Sequence, residues 1–226
     1  VARLPEVLVN RNVMIALSVA LLLGGFALAA KTFRAKEAEH VGAIVAEQSK
    51  TLVPDHAMRL GNKDAKVVVV EFFDPACETC AQFAPIIKDM VEQSDGKVQV
   101  IERYAPLHTG SKEVVALLEA SRKQNLYWET LDLLFTTQSA WTAHHAADMS
   151  KVFALLEQAG YDIAALNTGM QDPAIAALIA QDIKDSQTLG VKATPEFFVN
   201  GKPLPEWGLA QLKALVKSET ERLYGG

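Results

Sequence analysis

The sequence predicts an α/β protein: a strand–helix–strand unit, a long helical stretch, then a hairpin and a closing helix, all preceded by an N-terminal transmembrane helix. Three observations predict it. Val67-Val68-Val69-Val70-Glu71-Phe72-Phe73 is an unbroken β-branched and aromatic run, the pattern of a strand covered on both faces. After it, Phe83, Ile86, Ile87, Met90 and Val91 recur at helical spacing, and Val98 to Tyr104 supplies a second strand, which makes a βαβ unit. Glu196-Phe197-Phe198-Val199, Asn200-Gly201 and Lys202-Pro203-Leu204 then read as a hairpin whose Asn-Gly pair suits a type I′ turn.

The remaining elements are marked by breaks and periodicity. Asp74-Pro75 ends the first strand, Pro85 interrupts the helix after it, and Asp95-Gly96 turns the chain into the second strand. Ser111–Gln124, Leu126–Thr137, Ser150–Gly160 and Ala174–Leu189 read as helices, separated by Gly110, Asn125, Gly160 and Asp172-Pro173. Trp207 to Leu223 is amphipathic and closes the chain. Trp128, Phe135 and Trp141 fit the core of these helices better than a ligand cage.

Val13 to Ala30 is a stretch of 18 residues without a charge; as a helix it covers about 27 Å, close to the hydrocarbon core of a bilayer. It reads as an uncleaved anchor or as a secretory signal, since Ala27-Leu28-Ala29 offers a small-x-small cleavage site. The length favours the anchor, and the absence of any polar face argues against a buried helix of a soluble domain. Arg3 and Arg11 precede the span and Lys31, Arg34 and Lys36 come after it, so flanking charge does not orient it. An N-terminal apolar segment usually exports the chain behind it, which places the remaining residues outside the cytoplasm. Lys31 to Leu52 is a polar, Ala/Glu/Lys-rich spacer without sustained heptads.

The whole chain is 50% apolar and 22% charged with a net charge of −5. That balance excludes a disordered chain, and the mild acidity without basic–aromatic runs excludes a nucleic-acid binder. Two cysteines are too few for a disulfide scaffold or a four-cysteine zinc site. Their spacing, Cys77-Glu78-Thr79-Cys80, has a specific chemical use. At a strand-to-helix boundary the first cysteine meets unpaired N–H groups and the positive end of the helix dipole, which favour a thiolate. The second lies one turn on, within reach of the first. Cys77 is thus the candidate nucleophile and Cys80 the resolving thiol; a structural disulfide and half of a shared metal site are the alternatives.

Context favours the redox reading. Glu71 stands in an otherwise apolar strand six residues before Cys77, where burial raises a carboxyl pKa and suits it to exchange a proton with Cys80. Ala193-Thr194-Pro195 precedes the strand that starts at Glu196, and a proline there marks a bend rather than a central strand. The residues 69–80, Val-Val-Glu-Phe-Phe-Asp-Pro-Ala-Cys-Glu-Thr-Cys, and Gly190-Val191-Lys192-Ala193-Thr194-Pro195 followed by Glu-Phe-Phe-Val-Asn-Gly, resemble the thioredoxin superfamily. More narrowly, they resemble its DsbA-like thiol–disulfide oxidoreductases, from about Ala57 to Leu223.

The resemblance implies a thioredoxin fold with an inserted helical domain. The expected boundaries are 1–30 for the anchor or signal, 31–55 for the stalk, 56–107 with 190–226 for the thioredoxin-fold domain, and 108–189 for the insertion. It also implies a cis Thr194–Pro195 peptide beside the sulfurs, with the Thr194 backbone pairing with a substrate chain. Glu78-Thr79 departs from the Pro-His pair of the strongly oxidising enzymes. An ionised Glu78 repels the thiolate beside it, so the sequence predicts a Cys77 pKa above theirs and a less oxidising couple.

The expected protein exchanges disulfides with cysteine-containing clients in a bacterial periplasm, without an organic cofactor, and exchanges electrons with a membrane redox partner. Reductase or isomerase flow through the same site, or a Cu(I)-binding role for the two thiols, are the alternatives. His108 is a candidate for the rim of the site. His144-His145 with Asp148 reads as an exposed loop rather than a metal site. Phe73 and Pro75 flank the motif and are expected to shape an apolar client surface, although packing alone would account for Phe73.

Overall fold

The computed structural model describes residues 50–225. The expected anchor, and the stalk as far as residue 49, lie outside the described residues. Among the described residues no helix is long and apolar enough to cross a membrane.

A five-stranded sheet organises the fold, in the order β1-β3-β2-β6-β7. Its strands are β1 (Met58–Gly61), β2 (Val67–Phe73), β3 (Val98–Tyr104), β6 (Glu196–Val199) and β7 (Lys202–Pro203). β2 and β3 are parallel, joined through helix α1 (Glu78–Glu92), and β1 and β6 flank them antiparallel. The helix runs through Pro85. Asn200 and Gly201 take φ 48° and 79° at the β6–β7 hairpin, the left-handed pair that a type I′ turn requires.

Burial explains the unalternating run of β2. Val67 and Val69 pack with Phe83, Ile87 and Val91 of α1, and with Leu212 and Val216 of the last helix, α8 (Leu209–Tyr224). Val70 and Phe72 pack on the opposite face with Leu52, Ile101 and Phe198. Both faces are covered, so both need apolar side chains. Glu71 therefore shares the α1 face with Val69 and Phe73, and on β3 Glu102 shares it with Val100 and Tyr104.

Between β3 and β6 lie helices α2 (Ser111–Arg122), α3 (Tyr127–Thr136), α4 (Gln138–Trp141), α5 (Met149–Gln158), α6 (Ile163–Met170) and α7 (Pro173–Thr188), with a two-stranded hairpin, β4 (Thr142–Ala143) and β5 (Ala146–Ala147), after α4. Their core, centred on Val114, Leu118, Leu134, Trp141 and Leu156, continues into Phe73, Cys77 and Cys80. Asp148, Asp162 and Asp172 cap α5, α6 and α7 by accepting backbone N–H bonds. Trp141 is buried and Phe135 packs edge-on to Phe73 at 5.9 Å, as expected of core aromatics.

Three features differ from the sequence expectation. β1 is a further strand, whose Met-Arg-Leu-Gly alternates between half-buried and exposed but spans only four residues. It ends at Gly61, where φ is 97° and a Cβ would stand 2.7 Å from Val91 Cγ1. The second is α6, whose Asn, Thr and Gly are poor helix formers; the Asp162 cap and the approach of Gly169 to Ala120 hold it instead. The third is the α4 turn with the β4–β5 hairpin, where a plain loop was expected.

Candidate active site

Strand β2 ends at Phe73 and helix α1 starts at Glu78, so four residues turn the chain. Asp74 builds this turn. Its buried carboxylate accepts hydrogen bonds from the N–H of Ala76, Leu107 and His108, from Nδ1 of His108 and from the Ser111 hydroxyl. These contacts clamp the segment before Cys77 to the start of the helical insertion. The insertion also holds the turn from above, through Gln138 Nε2, which donates to the carbonyls of Pro75 and Cys77 at 2.8 and 3.0 Å.

Cys77 is the N-cap of α1 in extended conformation, and both cysteines are buried free thiols. The Cys77 pKa is lowered to about 5. A hydrogen bond from Cys80 is the largest cause. Burial opposes it, while the Thr194 side chain and the backbone N–H groups of Cys80 and Thr79 add to it. The helix N-terminus supplies those last donors. The Cys80 pKa moves well upward, first by burial, then by its bond to Cys77 and the charge of Glu71. Two thiols of one motif are thus set apart, one favouring the anion and one holding its proton.

The Thr194–Pro195 peptide is cis, and the Cys77 thiol donates to the Thr194 carbonyl at 3.2 Å. Trp207 fixes this loop from the other side: its Nε1 donates to the Pro195 carbonyl at 2.9 Å and its ring lies 5.6 Å from Phe83. Glu71 is buried on the α1 face, its pKa well above normal from burial first, then from Glu102 and Cys77. Cys77, Cys80, Glu71, Thr194 and Pro195 are thus gathered at one end of the sheet.

His108 lies at the rim, bonded to Asp74 and stacked on His145 with ring centres 5.4 Å apart. His145 is exposed at the β4–β5 hairpin tip, yet its Nδ1 lies 2.7 Å from the Glu78 carboxylate. The sequence left Glu78 beside the thiolate without a partner; the fold brings one from 67 positions further along the chain.

Phe73 and Pro75 are buried, so the apolar surface expected of them is not theirs. Leu107 and Trp207 are instead the large apolar side chains exposed among the described residues, at 52% and 55%, tied to Asp74 and Pro195 respectively. Sequence reasoning missed Asp74, Glu102 and Gln138. Glu102 carried the same signal as Glu71, a carboxyl in an otherwise apolar strand. Gln138 carried none, because its role depends on a tertiary approach.

A buried strand, a helix opened by Cys-x-x-Cys and a cis-proline loop across from the sulfurs define a thioredoxin-like site. The thioredoxin family model matches residues 54–218, and the chain belongs to that family. The helical insertion gives it the fold of the DsbA-like members. A thioredoxin-like oxidoreductase from Silicibacter pomeroyi is 26% identical and superposes with a TM-score of 0.65 over 78% of this chain and 98% of its own. Wolbachia pipientis alpha-DsbA1, 22% identical, superposes with 0.64 over 77% and 96%.

Among curated relatives, a Na(+)/H(+) antiporter NhaA of Herminiimonas arsenicoxydans is 27% identical across 64% of this chain, which spans 22% of the antiporter's length. A putative protein-disulfide oxidoreductase of Rickettsia bellii is 24% identical across 75% of the chain and 66% of its own length.

Proposed function

We propose that the protein is a thiol–disulfide oxidoreductase acting outside the cytoplasm, with Cys77 as nucleophile, Cys80 as resolving thiol and Glu71 as the proton acceptor and donor for Cys80. The observation that carries this reading is the split within the motif, a Cys77 pKa of about 5 beside a Cys80 pKa raised well above normal. At neutral pH the outer sulfur attacks or leaves as an anion, and the inner one waits as a thiol. In the oxidising direction a client thiolate attacks Cys77 in the Cys77–Cys80 disulfide. A second client thiol then displaces Cys77, which leaves the client oxidised and both protein cysteines reduced.

The client backbone docks against Thr194 and Pro195, and exposed Leu107 and Trp207 offer apolar contact on either side. A cysteine-containing, incompletely folded protein fits that surface. The apolar segment Val13–Ala30 supports placement outside the cytoplasm, where disulfides persist. A membrane redox partner renews the pair between turnovers.

A pKa of about 5 lies between roughly 7 in thioredoxin and roughly 3.5 in DsbA. It supports a couple less oxidising than the DsbA value of about −120 mV. The test is the Cys80→Ser variant with a cysteine peptide as its mixed aromatic disulfide. The expected product is a stable peptide adduct on Cys77, absent in Cys77→Ser, with a glutathione equilibrium placing the wild-type couple below about −120 mV. No adduct, or an adduct on the inner position only, would overturn the assignment.

A further inference from the structure

Glu71 and Glu102 are register partners on the adjacent parallel strands β2 and β3. They therefore point to the same face, about one strand spacing apart. Both are buried, and both line a cavity of about 60 Å³ beneath α1 and α3, large enough for a few waters. Leu60, Phe73, Ile87, Leu131 and Phe135 form its apolar wall, while Lys88 and Asp132, ion-paired at 3.2 Å and half exposed, stand at its edge. Among the described residues neither carboxyl has a hydrogen-bonding or cationic partner. Burial pushes Glu102 up to about 8 and Glu71 well above the usual carboxylate range, with each charge opposing the other, so the pair stays protonated through neutral pH and one member ionises only near pH 8.

We propose that Glu71 and Glu102 act as one carboxyl dyad that carries the Cys80 proton between the active site and solvent. This deepens the function proposed above and rests on it. Glu71 is the member coupled to Cys80 and Cys77. Glu102 sits one strand further out and touches neither sulfur, so it is a positioning residue that sets when Glu71 is free to accept.

In the closing step Cys80 gives its proton to the dyad once one of its members has ionised. The Cys80 sulfur pair forms the bond to Cys77, the bond from Cys77 to the client sulfur breaks, and that sulfur leaves with its electron pair as thiolate. The Cys80 sulfur is oxidised by one electron, the client sulfur is reduced by one, and Cys77 stays a disulfide sulfur. The proton then passes through the cavity towards Lys88 and Asp132. In the opposite direction the dyad returns a proton to Cys80 as it leaves the disulfide. The groups facing the dyad are Cys77 at the N-cap of α1, Cys80 and Lys88 within it, and Tyr127 and Asp132 of α3. Lys88 is already held by Asp132, and Tyr127 stays neutral because burial raises its pKa well above normal.

The test monitors closure of the Cys77–glutathione mixed disulfide from pH 5 to 9 in the full chain. Wild type is expected to show a rate step belonging to the dyad. In Glu102→Gln the step moves to lower pH by about one unit, because Glu71 then titrates without its like-charged neighbour. In Glu71→Gln the step disappears and closure slows by about 100-fold. A Glu102→Gln profile that superposes on wild type, with Glu71→Gln still slow, overturns the dyad and leaves the redox reading intact. A wild type that never closes overturns both. Infrared spectra of the unsubstituted reduced protein give a check that needs no variant. The dyad requires protonated carboxyl absorption at neutral pH that disappears only in alkali, and its absence overturns the dyad.

Discussion

Protonating Cys77 should destabilise the reduced protein by an amount that its site sets. Its pKa falls from 9.0 to about 5 on folding, so the folded state prefers the thiolate. The contribution to stability is complete above pH 9, shrinks by about 1.4 kcal/mol per unit below that, and is gone once pH has passed below 5. At pH 7 about two units of the shift remain, worth about 3 kcal/mol. The disulfide form has no thiolate and lacks this contribution; Cys80, which it also lacks, keeps its proton throughout this range because its pKa is raised well above normal.

Urea unfolding of the reduced and oxidised proteins at pH 4, 5.5 and 7 measures the difference. The stability of the reduced form relative to the oxidised one should rise by about 3 kcal/mol between pH 4 and 7. The reduction potential should fall by about 60 mV per pH unit below 5 and about 30 mV above it, as one of two protons drops out of the couple. A slope that stays near 60 mV up to pH 8, or a flat stability difference, would refute the assignment of the thiolate to this helix end.

Two further substitutions test what holds the site in place. Asp74→Ala strips acceptors from the N–H groups of Ala76, Leu107 and His108 and from the His108 and Ser111 side chains. It should cost about 3–5 kcal/mol in urea unfolding and raise the Cys77 pKa in an alkylation series as the turn loosens. Arg103 is fully buried and binds Asp182 and Asp185 of α7 and the Leu52 carbonyl. Arg103→Met takes the guanidinium from both carboxylates, leaving Asp182 with His56 Nε2 at 2.6 Å, and should cost about 3–5 kcal/mol at pH 7. The loss should be smaller near pH 4, because Asp182, whose pKa Arg103 helps to lower, takes up a proton more readily once that cation is gone.

Strand β2, the helix that opens at the cysteine motif, the hairpin at Asn200-Gly201 and most of the inserted helices were legible in the linear chain. Each depends on local rules: burial on both faces, an apolar repeat at helical spacing, a turn pair suited to positive φ. The proximity of Thr194 to Cys77 was legible only through resemblance, since no local rule joins residues 117 positions apart. Asp74, Gln138, Glu102 and His145 took their roles from tertiary contacts. Asp74 became the clamp because a β3 exit loop happens to present three donors to it, and Gln138 because α4 lies over the turn. Glu102 gained its meaning from strand register, which sets Glu71 opposite it. A residue's type limits what it is able to do; the folded chain decides which charge stands beside it, and that neighbour sets its proton affinity.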